Sequence, residues 1–94
     1  MKEAKVLRAN GTEEVIVPVN GTDFSLEEAQ KVVGGLIEIV NVADGMIIVC
    51  NEEGLFMDLD VNEKATCICL NSNAIRIGSA IVGDVLYCPT EMIK

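Results

Sequence analysis

The sequence contains no histidine, no tryptophan and only three aromatic residues. Without histidine there is no ordinary Ser–His or Cys–His pair to activate a nucleophile. Basic residues are also scarce: seven Lys and Arg stand against fifteen Asp and Glu, for a net charge of −8. None falls between Lys31 and Lys64, the interval that holds Glu38, Asp44, Glu52, Glu53, Asp58, Asp60 and Glu63. Phosphate contacts supply most non-specific nucleic-acid affinity and require Lys and Arg, so direct binding to DNA or RNA is excluded as an expectation. No apolar run approaches the roughly 18–20 residues that span a bilayer. The opening "MKEAKVLRANG" interrupts its apolar residues with Lys2, Glu3, Lys5 and Arg8, unlike a secretory apolar core, and a cytoplasmic location is expected.

What is present is aliphatic. Half the residues are hydrophobic, mostly Val, Ile and Leu, and the mean hydropathy is +0.38. β-Branched richness favours strands. Ninety-four residues make one domain, which buries only about 60–65% of the surface its unfolded chain exposes. The surplus of aliphatic side chains predicts self-association as a two-fold dimer, by edge-strand pairing or through the face of "AIRIGSAIV". The four cysteines (Cys50, Cys67, Cys69 and Cys88) lie in "IIVC", "CICL" and "VLYC". Together with the expected compartment, those apolar neighbours predict free thiols acting as small hydrophobes.

Along the chain, Asn10-Gly11 predicts a two-residue hairpin turn between strands near 4–9 and 12–17, with Pro18 closing the second. Ser25 and Glu28 have the spacing of a capping box, and Phe24 is placed to staple against Ala29. Leu26, Ala29, Val32 and Val33 form the apolar stripe of that helix, and Gly34 is its left-handed stop. Asp44-Gly45 joins strands near 36–42 and 46–51, and the unbroken "IIVC" predicts a central strand covered on both faces. Asn51 to Gly54 reads as a type I turn with Gly54 left-handed, after which residues 55–59 return as a short edge strand. Asn62 is expected to cap a helix through about Leu70. Residues 71–83 are undecided between helix and loop, and "IVGDVLYCP" closes as a strand near 84–88, with Thr90 capping a terminal turn.

"DLDVNEKATCIC" invites a metal reading. Asp58, Asp60 and Asn62 match the first three ligand positions of a calcium loop, yet its sixth position is Glu63 and its twelfth is Cys69. The first should be glycine and the second a bidentate glutamate. Cys67-x-Cys69 lacks the second ligand pair of a structural zinc site. Gly34-Gly35 precedes a strand rather than a helix and is no phosphate cradle. The stretch is therefore read as a turn running into a capped helix, with no metal ligands and no catalytic residues assigned.

The segments "VVGGLIEIV", "DGMIIVCNEEG", "LDVNEKAT" and "IVGDVLYC", taken in order, resemble a family of small proteins known as domain of unknown function 3846. The resemblance runs from the Asn10-Gly11 hairpin to Tyr87. Its most specific parts are Gly34, Gly35 and Glu38, the Asn51–Gly54 turn, the run Leu59, Asn62, Ala65, Thr66, and Gly83-Asp84-Val85. The chain departs from the family pattern at Asp60-Val61, often proline there, and at Glu63-Lys64, often a basic pair. The resemblance implies an accessory protein of phages or mobile elements, with no established catalytic residue. Its polar matches are Glu38, Asn51, Glu53, Asn62, Thr66 and Asp84. Each also has a scaffold reading: a strand-face acid, turn formers, a helix cap, a helix hydroxyl and a turn acid.

These readings combine into one α+β domain in the order ββαββαβ, with a largely antiparallel sheet and both helices on one face. The expected function is non-catalytic binding of a host or phage protein through the acidic surface, with Asp58 and Asp60 added to the candidate residues and a role in counter-defence. The alternatives are a binder of a small molecule or signalling nucleotide and, more weakly, a metal-dependent hydrolase using the clustered acids. No cofactor is implied. The incomplete calcium and zinc patterns predict that EDTA, calcium or zinc shifts the melting temperature by no more than about a degree or two. A saturable rise with one metal, followed by differential scanning fluorimetry, would contradict this.

Overall fold

The computed structural model describes residues 3–93. Its strands are β1 (Ala4–Leu7), β2 (Glu13–Ile16), β3 (Ile37–Asn41), β4 (Met46–Asn51) and β5 (Val85–Pro89), with helices α1 (Leu26–Val33) and α2 (Glu63–Asn71). The expected class and element order hold. The strands form one sheet in the order β2-β1-β5-β4-β3, with antiparallel pairing throughout. The last strand is the central one. It pairs Leu86 with Val6 on one side and with Val49 on the other, joining two hairpins that share no other ladder.

The layering differs from the expectation of two helices on one face. Side chains alternate along a strand. Ile47 and Val49 of β4 and Leu86 and Cys88 of β5 pack with Ala29 and Val33 of α1, together with Phe24 and Ala4. Ile48, Cys50 and Val85 turn the other way and pack with Ala65 and Cys69 of α2, Leu7 and Ile81. The helices therefore cover opposite faces. All six residues of β4 are buried, because a strand with a helix on each side has no solvent face. No described helix is long and apolar enough to cross a membrane.

Local chemistry explains the element ends. Ser25 and Glu28 form the expected capping box: the Glu28 N–H donates to Ser25 Oγ (3.1 Å), and the Ser25 N–H donates to Glu28 Oε1 (2.9 Å). Glu28 Oε2 also accepts from the Val19 N–H (3.0 Å), fixing the approach to the helix. The Ser25 and Val19 amides hold the Glu28 carboxyl below its usual 4.5, so this contribution is complete above that value and is lost as pH falls through the lowered one. Phe24 and Ala29 share one cluster, and Gly34 ends α1 with φ +80°. At Asp44-Gly45 both residues take positive φ, as expected.

Other connections depart from the expectations. The first hairpin closes through a three-residue loop: the Gly11 N–H donates to the Arg8 carbonyl and the Arg8 N–H to the Thr12 carbonyl. Only Gly11 has positive φ there, so the turn is the type I plus left-handed glycine form, not the mirror-image form. Residues 55–59 are not a strand. Met57 donates to the Glu53 carbonyl and Leu59 to the Gly54 carbonyl, a single helical turn closed by left-handed Asp58 (φ +55°). Gly54 is not left-handed. Its requirement is space, since a Cβ there would lie 2.6 Å from a methyl of Val82. Residues 72–84 are mostly irregular. The terminal turn Thr90–Met92 lacks the expected side-chain cap, because the Thr90 hydroxyl donates to the Gly45 carbonyl instead (2.9 Å).

The cysteines are all free thiols, but they are not equivalent. Cys50, Cys69 and Cys88 are buried and Cys67 is exposed on α2. Burial pushes each of the three buried thiols up to about 11, with Glu38 adding to the effect at Cys50 and Glu91 at Cys88. At pH 8 only about one in a thousand of such groups is thiolate, the reactive form. Native protein should therefore show one fast-reacting thiol, Cys67, and four after denaturation. Alkylation followed by mass spectrometry checks this, and fast modification of any other cysteine in the native state would contradict it.

Candidate functional site

The eight candidate side chains separate into two junctions and an exposed strip. Asn62, Thr66 and Asp84 belong to the first junction, where the chain enters β5. Asn62 is completely buried. Its amide donates to the carbonyls of Leu7 (2.8 Å) and Gly83 (2.9 Å), and its side-chain oxygen accepts from the Ala65 N–H (3.1 Å). One side chain thus caps α2 and ties the end of β1 to the approach to β5. One turn on, Thr66 Oγ1 accepts from the Ile81 N–H (2.9 Å) and lies 3.3 Å from the Ile81 carbonyl. These bonds, with the Val61–Val82 bridge, give the irregular segment before β5 its polar partners.

Asp84 works from the other side of the same junction. It accepts from the Ala9 N–H (3.0 Å) and pairs with Arg8 (3.0 Å), which also pairs with Glu14. The two acids raise the Arg8 pKa, Glu14 contributing more than Asp84. Lys64 of α2 pairs with Glu13 (2.7 Å), as Lys5 does at longer range (3.5 Å), and the two lysines hold the Glu13 carboxyl below its usual 4.5. Two acids on β2 are thereby matched with cations of the same chain, a pairing that sequence spacing did not indicate.

Asn51 and Glu53 form the second junction. Asn51 is buried, donates to the Val33 carbonyl (3.1 Å) and accepts from the Glu53 N–H (2.8 Å). It thus fastens the end of α1 to the turn after β4. Gly35 passes close by: a Cβ there would stand 3.1 Å from the Asn51 amide nitrogen. The Glu53 side chain itself is exposed.

Glu38, Asp58 and Asp60 are exposed. Asp58 closes the helical turn after β4, and the Asp60 carbonyl accepts from the Gly83 N–H (2.7 Å). Asp58, Asp60 and Asn62 do not converge as ligands, because the Asn62 side chain is buried and fully engaged with backbone. Among the described residues, no three His, Cys, Asp or Glu groups gather as metal ligands.

The acids border an apolar feature not singled out in the sequence. Leu55 is 73% exposed, Phe56 92% and Met57 50%, three consecutive apolar residues on the turn between β4 and α2. Glu52 and Glu53 precede them, and Asp58 and Asp60 follow, all exposed. The Glu52 N–H donates to the Leu36 carbonyl (2.8 Å), which places half-exposed Leu36 beside the start of this turn. The signal was the run "GLFM" itself. Its apolar content resembled a returning strand, whereas it is a helical turn pointing outward. In the expected self-association segment "AIRIGSAIV", residues 76–79 are exposed, Ile77 almost fully, whereas Ile81 and Val82 are buried.

The Asn62 geometry carries a stability prediction. Asn62→Ala removes three hydrogen bonds from a dry site, at a cost of about 3 kcal/mol. In a domain of this size that lowers the melting temperature by roughly 12–24 °C. Asn62→Asp keeps the cap acceptor but sets a carboxylate against two carbonyls, so it should be at least as damaging. Thermal unfolding by circular dichroism tests both, and a near-parental Asn62→Ala would remove the scaffold role.

No curated protein and no solved structure matches the chain. The family described as Domain of unknown function (DUF3846) matches residues 1–92, which include every junction and turn described above. The chain belongs to the DUF3846 family.

Proposed function

We propose that this chain is a non-catalytic binding protein whose partner is a protein with a basic surface, engaged through the turn after β4. The observation that carries this reading is the exposed Leu55-Phe56-Met57 triplet bracketed by Glu52, Glu53, Asp58 and Asp60. Phe and Met are enriched at the centres of protein interfaces, and exposed apolar groups within a polar rim are a common form of such sites. The acids supply what the apolar centre lacks: steering towards positive charge and selection against acidic surfaces. A host or phage target, in keeping with the phage or mobile-element setting that the family resemblance implies, and a counter-defence role are part of this proposal.

A signalling nucleotide is less well served. Lys5, Arg8 and Lys64 are held in ion pairs by Glu13, Glu14 and Asp84, which reduces the positive potential available to phosphates. Two of the candidate polar groups, Asn51 and Asn62, are buried and occupied by backbone bonds. The reading therefore rests on the exposed strip and not on the family's buried polar positions.

Capture of partners from cell lysate by tagged protein tests the proposal when parent and variants are compared. Phe56→Ala removes the apolar centre, and should weaken capture by roughly tenfold or more. Asp58→Asn, which tolerates the left-handed backbone, combined with Asp60→Lys should weaken it further and reduce its salt sensitivity. Both variants should melt within about a degree or two of the parent, since none of these side chains is buried. A partner captured equally by parent and both variants would refute the assignment.

A further inference from the structure

We infer that the free edge of β3 receives an extended, basic segment of a protein partner by strand addition. This deepens the binding reading above and rests on it. In β3 the Val42 N–H donates to the Met46 carbonyl at one end, and the Leu36 carbonyl accepts from the Glu52 N–H at the other. Bonded and non-bonded pairs alternate in an antiparallel ladder. Glu38 and Val40, opposite Cys50 and Ile48, therefore bond inward to β4, while Ile37, Ile39 and Asn41 turn their N–H and C=O groups away from the sheet. A row of such groups at uniform strand spacing is satisfied by another strand.

The two edges of the sheet differ in how they resist such pairing. β2 carries adjacent Glu13 and Glu14, with Pro18 just past its end. β3 has five residues, "IEIVN", with no Lys, Pro or Gly and a single charge at Glu38. Natural edge strands are commonly blunted by Lys, Pro or a bulge. β3 is not.

Charge identifies the occupant. Asp44 lies at one end of the edge, Glu52 and Glu53 at the other, and Glu38 between them, with no basic residue from 32 to 63. A second copy of the chain would bring another net −8 and the same acids to this edge. A segment bearing Lys or Arg meets complementary charge instead. The alternation of β3 specifies its pattern. Ile37 packs with the cluster under α1, Ile39 on that same face is 44% exposed, and Glu38 and Val40 lie on the α2 face. The added strand would place apolar side chains beside Ile37 and Ile39 and basic ones beside Glu38. Leu36, just before the strand, accepts from the Glu52 N–H at the start of the turn that carries Leu55–Met57.

The probe is a short synthetic peptide in which Val and Lys alternate, measured by calorimetry and by amide hydrogen exchange. It should bind, slow exchange at Ile37, Ile39 and Asn41, and lose affinity as salt is raised. Ile39→Pro removes one outward N–H without touching the bonds to β4, because proline is tolerated where an edge N–H faces solvent. It should weaken binding by roughly tenfold or more. The same peptide with alternate backbone amides methylated should bind the parent equally poorly, which keeps the test decisive if the proline variant misfolds. Absence of binding, or binding indifferent to both changes, overturns the inference. Protection of the same amides without peptide, rising with protein concentration alongside a dimer mass in light scattering, would assign the edge to a second copy. Partner capture that depends on Phe56, Asp58 and Asp60 but survives Ile39→Pro would leave the binding reading intact and remove only strand addition.

Discussion

The structure depends on one constraint: β5 must enter a sheet whose two halves do not otherwise pair. β1 and β2 form one hairpin, β3 and β4 another, and only β5 bonds to both. Its insertion makes β4 a strand with neighbours on both sides and a helix on each face. Asn62 governs the entry, because its three hydrogen bonds hold the start of α2, the end of β1 and the residue before Asp84 together. Arg8 and Asp84 fasten the same place from the solvent side. Three of the family's six polar matches, Asn62, Thr66 and Asp84, thus converge on the mechanical problem of seating the last strand.

Much of this architecture was legible in the sequence wherever the signal was local. The Ser25–Glu28 box, the Gly34 stop, the Asp44-Gly45 turn and the Asn62 cap each depend on residues within a few positions of one another, and each is present. The layering was not legible from local signals, because which face a helix covers is decided by how strands pair at long range. Yet "IIVC" already required two covered faces, and a single covered face conflicted with it. Residues 55–59 were misread because short apolar runs fit a strand and a helical turn alike. The Asn10-Gly11 turn differed through a single extra loop residue, a distinction that the dipeptide alone does not encode.

For the candidate site, residue type indicated which groups were polar and unusual but not which were accessible. Asn51 and Asn62 carried a ligand-binding reading beside the favoured structural one, and their burial supports the structural one. Asp58 and Asp60 gained their meaning from Phe56, a neighbour whose outward orientation follows from the turn geometry. The pairs Glu13–Lys64 and Glu14–Arg8 flank one sheet edge, while the unmatched acids and the apolar turn gather towards the other. Val15, Val17 and Val19, on and just after β2, are exposed as well, so the two sides differ in charge pairing and not in apolar exposure.

The central position of β5 also sets an order of events during synthesis. As the chain leaves the ribosome, both hairpins and both helices emerge before residues 85–89 do. Until then β1 and β4 each present an unpaired inner edge, and Ile47, Val49 and Ile48 lack the neighbours that shield them in the finished sheet. The inner edges of the two hairpins are open to pairing with each other or with other chains during that interval. Any delay between α2 and β5 would lengthen it, because the two hairpins share no sheet until residues 85–89 are in place.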